Sequence, residues 1–147
     1  MSVGDWTALL TEIGIIDQLV EARLSRLLPD GLSPAQYGVL NHFARLGPGH
    51  ESAPAELAAS FQVSRATMTG ILSRLADKGL VSVTQDPRDG RRRVVRLTER
   101  GLAAREEALS LAGPDLALIA DAFPERFARD LVGPLQTLRI WLDEDRK

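Results

Sequence analysis

Apolar residues recur along this chain with two periods, and the changes of period mark out its elements. Trp6, Leu9, Leu10, Ile13, Ile16, Val20, Leu24 and Leu27 follow three- and four-residue steps, which predicts an amphipathic helix over about 5–28, ended by Pro29-Asp30-Gly31. Ser33-Pro34-Ala35-Gln36 has the form of a capping box and opens a second helix carrying Tyr37, Leu40, Phe43 and Leu46, which stops at Gly47-Pro48-Gly49. Pro54 introduces a short helix over about 56–60, Phe61-Gln62-Val63 forms a turn, and Ser64 caps a helix running to Lys78 that buries Met68, Ile71, Leu72 and Leu75. Gly79 stands where a left-handed terminator belongs. The period then shortens to two. Residues 80–85, with Val81 and Val83 on one face, and 93–97, with Val95 and Leu97 alternating with arginines, read as strands joined through the turn residues Asp86-Pro87-Arg88-Asp89-Gly90. Thr98 caps a further helix through Leu102, Leu109 and Leu111. Gly113-Pro114 is expected to interrupt it before the pattern resumes at Leu116, Ile119 and Phe123. A last apolar stripe, Phe127, Leu131, Leu135, Leu138, Trp141 and Leu142, contains Gly133-Pro134, which is expected to kink or break it.

Composition narrows the class without naming a function. The 147 residues are 44% hydrophobic and 26% charged, enough for one ordinary globular domain with a core. No apolar run approaches the roughly 18 residues of a bilayer span, and the opening MSVGDWTALL has an acid where a secretory leader carries a basic region. A cytoplasmic protein without membrane attachment is expected. The absence of cysteine excludes disulfides, thiolate-ligated zinc and thiol-based oxidant sensing. His42 and His50 do not match a metal-ligand spacing and read as ordinary surface or core histidines, so no metal and no cofactor is expected.

Charge changes the picture more. The net charge is −2, yet residues 62–100 hold nine basic side chains against four acidic ones, a surplus of +5, which leaves −7 on the remainder. That asymmetry places one anion-binding surface on an acidic scaffold. Short helix, turn, helix, strand, basic turn, strand is an order suited to duplex DNA. A major groove about 12 Å wide admits one helix, whose first turns approach the base edges. With the buried face of 64–78 turned inward, Arg65, Thr69 and Ser73 form an outward row beside the small Ala66 and Gly70. Arg65 suits a guanine edge or a phosphate; Thr67 and Thr69 suit phosphate oxygens or a thymine methyl; the helix N-terminus itself favours phosphate. Taken alone, this row is equally compatible with a solvated polar face. Arg88, Arg91, Arg92 and Arg93 decide the matter. Like charges crowd there around a Pro/Gly turn with nothing in the fold to gain, and such a tip fits the negative potential of a narrow minor groove. Asp89 reads as an orienting partner of Arg88 and Arg91 rather than as a catalytic acid. The terminal stripes need a cover that a small lobe supplies only in part, which points to an oligomer.

The run PAELAASFQVSRATMTGILSRLADKGLVSVTQDPRDGRRRVVRLTERG resembles the DNA-binding core of the MarR (multiple antibiotic resistance regulator) family, most specifically in D-P-R-D-G-R followed by V-R-L-T and a glycine. LSPAQYGVL is similar to that family's second helix. The resemblance implies a mainly α fold with a small β-hairpin wing: a winged helix-turn-helix lobe at 33–98 and a helical dimerisation region from 1–32 and 99–147. It further implies a homodimeric repressor on a pseudo-palindromic operator, released by a small aromatic or phenolic ligand. Carried over by position, the DNA contacts are Ser64, Arg65, Thr67, Thr69, Arg74, Arg88 and Arg91, and Arg92 of the basic wing is expected to join them. The dimer interface takes Trp6, Leu9, Ile13, Leu131, Leu135, Leu138, Trp141 and Leu142, and the ligand candidates are Trp6, Ile13, Tyr37, His42 and Arg105. The sequence departs from the family at Ala53, where Ser or Thr commonly caps the third helix, and at the two Gly-Pro pairs. Two other readings stand beside this one: a constitutive winged-helix DNA-binding protein without ligand control, and an enzyme. The enzyme lacks an acid–base pair with histidine at a workable spacing, a phosphate-cradling glycine loop or a nucleophile motif.

Overall fold

The computed structural model describes residues 2–145, as two compact units divided between Ala112 and Gly113. The first unit carries α1 (Val3–Leu27), α2 (Pro34–Leu46), β1 (Glu51–Ser52), α3 (Pro54–Ser60), α4 (Arg65–Asp77), β2 (Val81–Asp86), β3 (Asp89–Leu97) and the first half of α5 (Glu99–Ala122). The second holds the rest of α5 and α6 (Phe127–Asp145).

Local chemistry sets most boundaries. Helix α1 begins two residues earlier than its apolar pattern: Ser2 is its N-cap and Asp5 its third residue, each closing one half of a capping box. Ser33 and Gln36 close the same box on α2. At α3 the Ala53 position has no side chain to offer, and only the return half exists, Ala53 N–H donating to Glu56 Oε2 at 3.0 Å. Gln62 takes φ +55° in the turn between α3 and α4, its amide Nε2 donating to the Ala59 carbonyl at 2.9 Å. Helix α4 ends in a Schellman motif: Leu80 N–H reaches Leu75 O and Gly79 N–H reaches Ala76 O, both at 2.9 Å, with Gly79 at φ +71°.

The three strands form one antiparallel sheet in the order β1-β3-β2. Two findings differ from the sequence reading here. Strand β3 starts at Asp89 rather than Arg93, because its ladder with β2 continues to an Asp86–Asp89 pair with a register shift at Gln85/Asp86. Arg91, Arg92 and Arg93 therefore stand on a strand, and the turn is shorter than expected. The short β1 adds a third strand, pairing Glu51 with Arg96 and Ser52 with Val95.

The core lies in the first unit, where Leu40 and Phe43 of α2, Leu57 of α3, Met68, Leu72 and Leu75 of α4, and Val95 of β3 pack together. Helix α5 docks through its first turn. Thr98 Oγ1 donates to Gly79 O at 2.6 Å and accepts from Gly101 N–H at 3.0 Å, and a Cβ on Gly101 would lie 2.0 Å from the Leu80 carbonyl oxygen. Neither Gly-Pro pair breaks its helix. Proline ordinarily disfavours a helical conformation at the preceding residue through a clash with its Cβ and N–H, and Gly113 and Gly133 have no Cβ to clash. The carbonyls left without a donor, on Ser110 and Asp130, belong to exposed residues open to water.

Exposure divides the chain sharply. Among the described residues, every exposed large hydrophobic side chain except Leu46 lies on α1, α5, α6 or at Phe123 just after α5. Helices α1 and α6 bury no residue at all. Leu10, Ile15, Ile16, Leu19 and Val20 put exposed apolar surface on several sides of α1, among its charged residues.

Both histidines meet behind the core. The His42 ring is half-buried, 5.4 Å from Phe61 and 6.2 Å from His50, and His50 Nε2 lies 3.0 Å from Ser52 Oγ. Burial, with Arg45 and His50 nearby, pushes the His42 pKa below its ordinary 6.5.

Two consequences are measurable. Gly101→Ala is expected to lower stability by about 1–3 kcal/mol in urea unfolding, because backbone rather than a flexible side chain occupies the Cβ position. As pH falls below about 6.5, the unfolded chain takes up the His42 proton before the folded one does, so stability declines towards the depressed folded pKa and is flat above 6.5. Urea midpoints at pH 7.5 and 5.5 should differ less in His42→Asn than in the parent chain.

Candidate nucleic-acid interface

Burial of Met68, Leu72 and Leu75 fixes how α4 is rotated about its axis. At about 100° per residue, Ala66, Gly70 and Ser73 come to the outward crest, with Arg65 and Thr69 on one flank and Thr67 and Arg74 on the other. Ser64 Oγ accepts from Thr67 N–H at 3.0 Å and donates to Thr67 Oγ1 at 2.9 Å, so both hydroxyls sit at the exposed N-terminus of the helix. Thr69 Oγ1 donates to the Arg65 carbonyl at 2.8 Å. A Cβ on Gly70 would meet no atom within 4 Å, so the bare crest is open to an approaching surface.

Arg65 and Thr69 of the one flank, with Ser73 at the edge of the crest, line a groove of about 710 Å³. Ala53, Pro54 and Ala55 at the start of α3, Leu72, Ala76 and Asp77 of α4, Val83 of β2, and Arg91, Arg92 and Arg93 of β3 complete its lining. The structure thus brings Arg65, Thr69, Arg91 and Arg92 of the expected contacts to one place and adds Arg93 and Ser73. It leaves Arg74 on the far flank, about 180° around the helix from Arg65, and Arg88 at the tip of the hairpin.

Carboxylates hold some of these guanidinium groups, and this the sequence reading missed. Glu56 uses one oxygen for the Ala53 cap and the other, at 2.7 Å, for Arg92. Glu51 on β1 binds Arg96 and lies 3.5 Å from Arg88. Asp86, not only Asp89, organises the turn: Asp86 Oδ1 accepts from Arg88 N–H at 2.9 Å and Asp89 Oδ1 from Arg91 N–H at 3.0 Å. Asp89 orients main chain, and no bond from it to a guanidinium is formed. Among the described residues, Arg65, Arg91 and Arg93 form no ion pair with a carboxylate. The only sequence signal for Glu51 and Glu56 was their position as acids just ahead of a basic segment.

The five ligand candidates lie outside this groove. Trp6 is exposed and Ile13 half-buried on α1; Tyr37 and His42 are half-buried on α2. Arg105 of α5 donates through Nε and Nη2 to Asn41 Oδ1, at 3.2 and 3.1 Å, and through Nη1 to Glu106 at 2.9 Å. Asn41 stands one helical turn from Tyr37, so Arg105 and Tyr37 meet the same face of α2. Of the expected interface residues, Trp6, Leu9, Leu131, Leu135, Trp141 and Leu142 are exposed, and Ile13 and Leu138 are half-buried. Among the described residues no group of three or more His, Asp or Glu is placed to hold a metal ion, and no helix is long and apolar enough to cross a membrane.

Comparison with known proteins bears on the fold and the family. A MarR family model matches residues 30–92. The transcriptional regulator HosA of Escherichia coli O111:H- is 37% identical over 121 residues, covering 82% of this chain and 81% of HosA. Among solved structures, a cysteine-to-serine mutant of MarR from E. coli complexed with operator DNA superposes with a TM-score of 0.70 at 26% identity, covering 94% of this chain and 99% of that one. The transcriptional regulator BldR from Sulfolobus solfataricus shares the fold, with a TM-score of 0.77 at 20% identity over 95% of this chain and 98% of that one. A mostly helical chain with a three-stranded antiparallel sheet, a helix-turn-helix and an arginine-bearing wing, it belongs to the MarR family of DNA-binding transcriptional regulators.

Proposed function

We propose that the protein is a homodimeric repressor that holds a pseudo-palindromic operator in the cytoplasm, each copy placing α4 in a major groove and its β2–β3 wing in the adjacent minor groove. The observation that carries this reading is the groove between Arg65, Thr69 and Ser73 on one side and Arg91, Arg92 and Arg93 on the other. Between a major and a minor groove runs one phosphate backbone. A cleft that sets the polar residues of α4 beside three wing guanidinium groups, over the apolar Leu72, Ala76 and Val83 and with Asp77 as its one acid, carries the positive surplus to receive it.

On this reading Arg65, Arg91 and Arg93 neutralise phosphates, Arg88 at the hairpin tip enters the minor groove, and Ser64, Thr67 and Thr69 bind phosphate oxygens or base edges around the N-terminus of α4. Arg74 meets the backbone on the other flank, and Arg92 exchanges Glu56 for phosphate. Residues 33–98 are the reading lobe; 1–32 and 99–147 are the dimerisation region, where Trp6, Leu9, Ile13, Leu131, Leu135, Leu138, Trp141 and Leu142 bury apolar surface against a second copy. The unburied faces of α1 and α6 support this. Occupation of the operator excludes the transcription machinery. A small aromatic anion bound beside Tyr37 and Arg105, against Trp6 and Ile13, releases the DNA by changing how the lobe is held; His42, on the other flank of α2 against Phe61 and His50, lies away from it. The Arg105–Asn41 contact between α5 and α2 supports a cation at that position.

Arg91→Ala is expected to weaken binding to a duplex selected from a random-sequence pool and to lower the slope of log K against log salt by about one unit. An unchanged slope removes the wing from the interface. Sedimentation at micromolar concentration should give a dimer, and a monomer there contradicts the two-half-site arrangement.

A further inference from the structure

The C-terminal end of α4 is tied to a distant part of the chain. Lys78, the C-cap of α4, donates from Nζ to the Gly31 carbonyl in the corner joining α1 to α2, and to Gln36 Oε1 at 3.1 Å. That same Gln36 oxygen accepts Ser33 N–H at 3.3 Å to complete the cap of α2, and the Gln36 side chain is buried, with 6% of the residue exposed. One amide oxygen therefore joins the first turn of α2 to the last turn of α4. From the other side, Thr98 ties Gly79 and Leu80 to the start of α5.

Lys78 is badly placed to touch DNA. It stands thirteen residues from Arg65, about 20 Å along the helix, while the N-terminal turns are the ones that enter a groove. Ala76 and Asp77 line the groove between α4 and the wing, but Lys78 does not, its Nζ being taken up in the α1–α2 corner. Its acceptors are a carbonyl and an amide oxygen in the α1–α2 corner, where a cation also complements the carbonyl end of α4. We infer that Lys78 is a positioning residue for DNA reading: by fastening α4 to the α1–α2 corner, it makes the recognition helix turn with α1, so that the packing of α1 sets the separation of the two recognition helices. The lever is long. A tilt of about 10° at the C-terminal end moves the other end by about 3.5 Å, close to one base-pair rise and enough to lose hydrogen-bond register.

This rests on the proposed dimer and operator, and the experiment separates the two. Full-length parent, Lys78→Met and Lys78→Arg are titrated against a palindromic duplex selected by the parent from a random pool, and against the same duplex with one base pair inserted between the half-sites. A parent that shows no spacing-dependent binding sinks the proposed function itself. Given a spacing-dependent parent, Lys78→Met should bind about tenfold more weakly, the scale of one lost charge-assisted hydrogen bond. Its salt slope should be unchanged, its penalty for the inserted base pair smaller, and Lys78→Arg should restore both affinity and penalty. A slope lowered by about one unit makes Lys78 a phosphate contact and overturns the inference. So does an affinity and spacing penalty equal to the parent's. Should circular dichroism show Lys78→Met unfolded, Gln36→Glu takes its place. It keeps the cap and strengthens the tie, so the spacing penalty must rise; a penalty that stays level or falls overturns the inference.

Discussion

The rotation of α4 about its own axis is the constraint on which the rest depends. Met68, Leu72 and Leu75 are 0–3% exposed, and no other rotation buries all three against Leu40, Phe43 and Val95. Deleting one such side chain costs about 2–5 kcal/mol, against about 0–1 kcal/mol for an exposed ion pair. Packing therefore sets which residues look outward, and the polar residues inherit their places from it. Arg65 and Thr69 reach the groove beside the wing because Met68 and Leu75 turn into the core, while Leu72, nearly in line with Arg65, forms part of the groove's floor. The same packing brings Gly70 to the crest, where a side chain is not needed for folding and its absence brings the helix closer to whatever lies opposite.

The wing is held by charge rather than by burial. Arg92 and Glu56 are each about half exposed, and pairs of that kind contribute about 0–1 kcal/mol. Such bonds orient guanidinium groups without locking them, so a phosphate displaces a carboxylate at small cost. Arg65, Arg91 and Arg93 need no such exchange. The lobe thus presents some cations ready for an anion and others parked on Glu51 and Glu56, which also limits the repulsion within a crowded basic hairpin. Like-charge crowding at the wing, which in sequence argued for an external anion, is in part relieved internally.

What the sequence made legible was the local chemistry. The capping box at Ser33–Gln36, the Ser64 cap, the Gly79 terminator and the alternation of Val95 and Leu97 all act over a few residues and are readable in order. Contacts that close over long distances are not. Glu51 meets Arg96 across 45 residues and Lys78 meets Gly31 across 47, and no periodicity reports either. Strand β1 has two residues, too few for an alternating pattern to register. Proline alone predicts a break at each Gly-Pro pair, although the glycine beforehand relieves the Cβ clash at the preceding residue and leaves only the lost hydrogen bond and the crowding of the i−4 carbonyl to be accommodated. The apolar stripe puts the start of α1 near Asp5, whereas the Ser2 cap lies outside the stripe.

In the proposed complex, helix α4 and the wing straddle one phosphate backbone. Hydroxyl-radical footprinting of the parent and of Arg91→Ala on a duplex selected from a random pool reads this directly, since the radical attacks the sugars that line the minor groove. The account predicts protection of the backbone between the major groove that receives α4 and the minor groove that receives the wing, repeated in two symmetric half-sites. In Arg91→Ala the protection nearest the wing is lost and the rest remains. Wing-side protection that survives the substitution, or a footprint confined to the major-groove face, contradicts it.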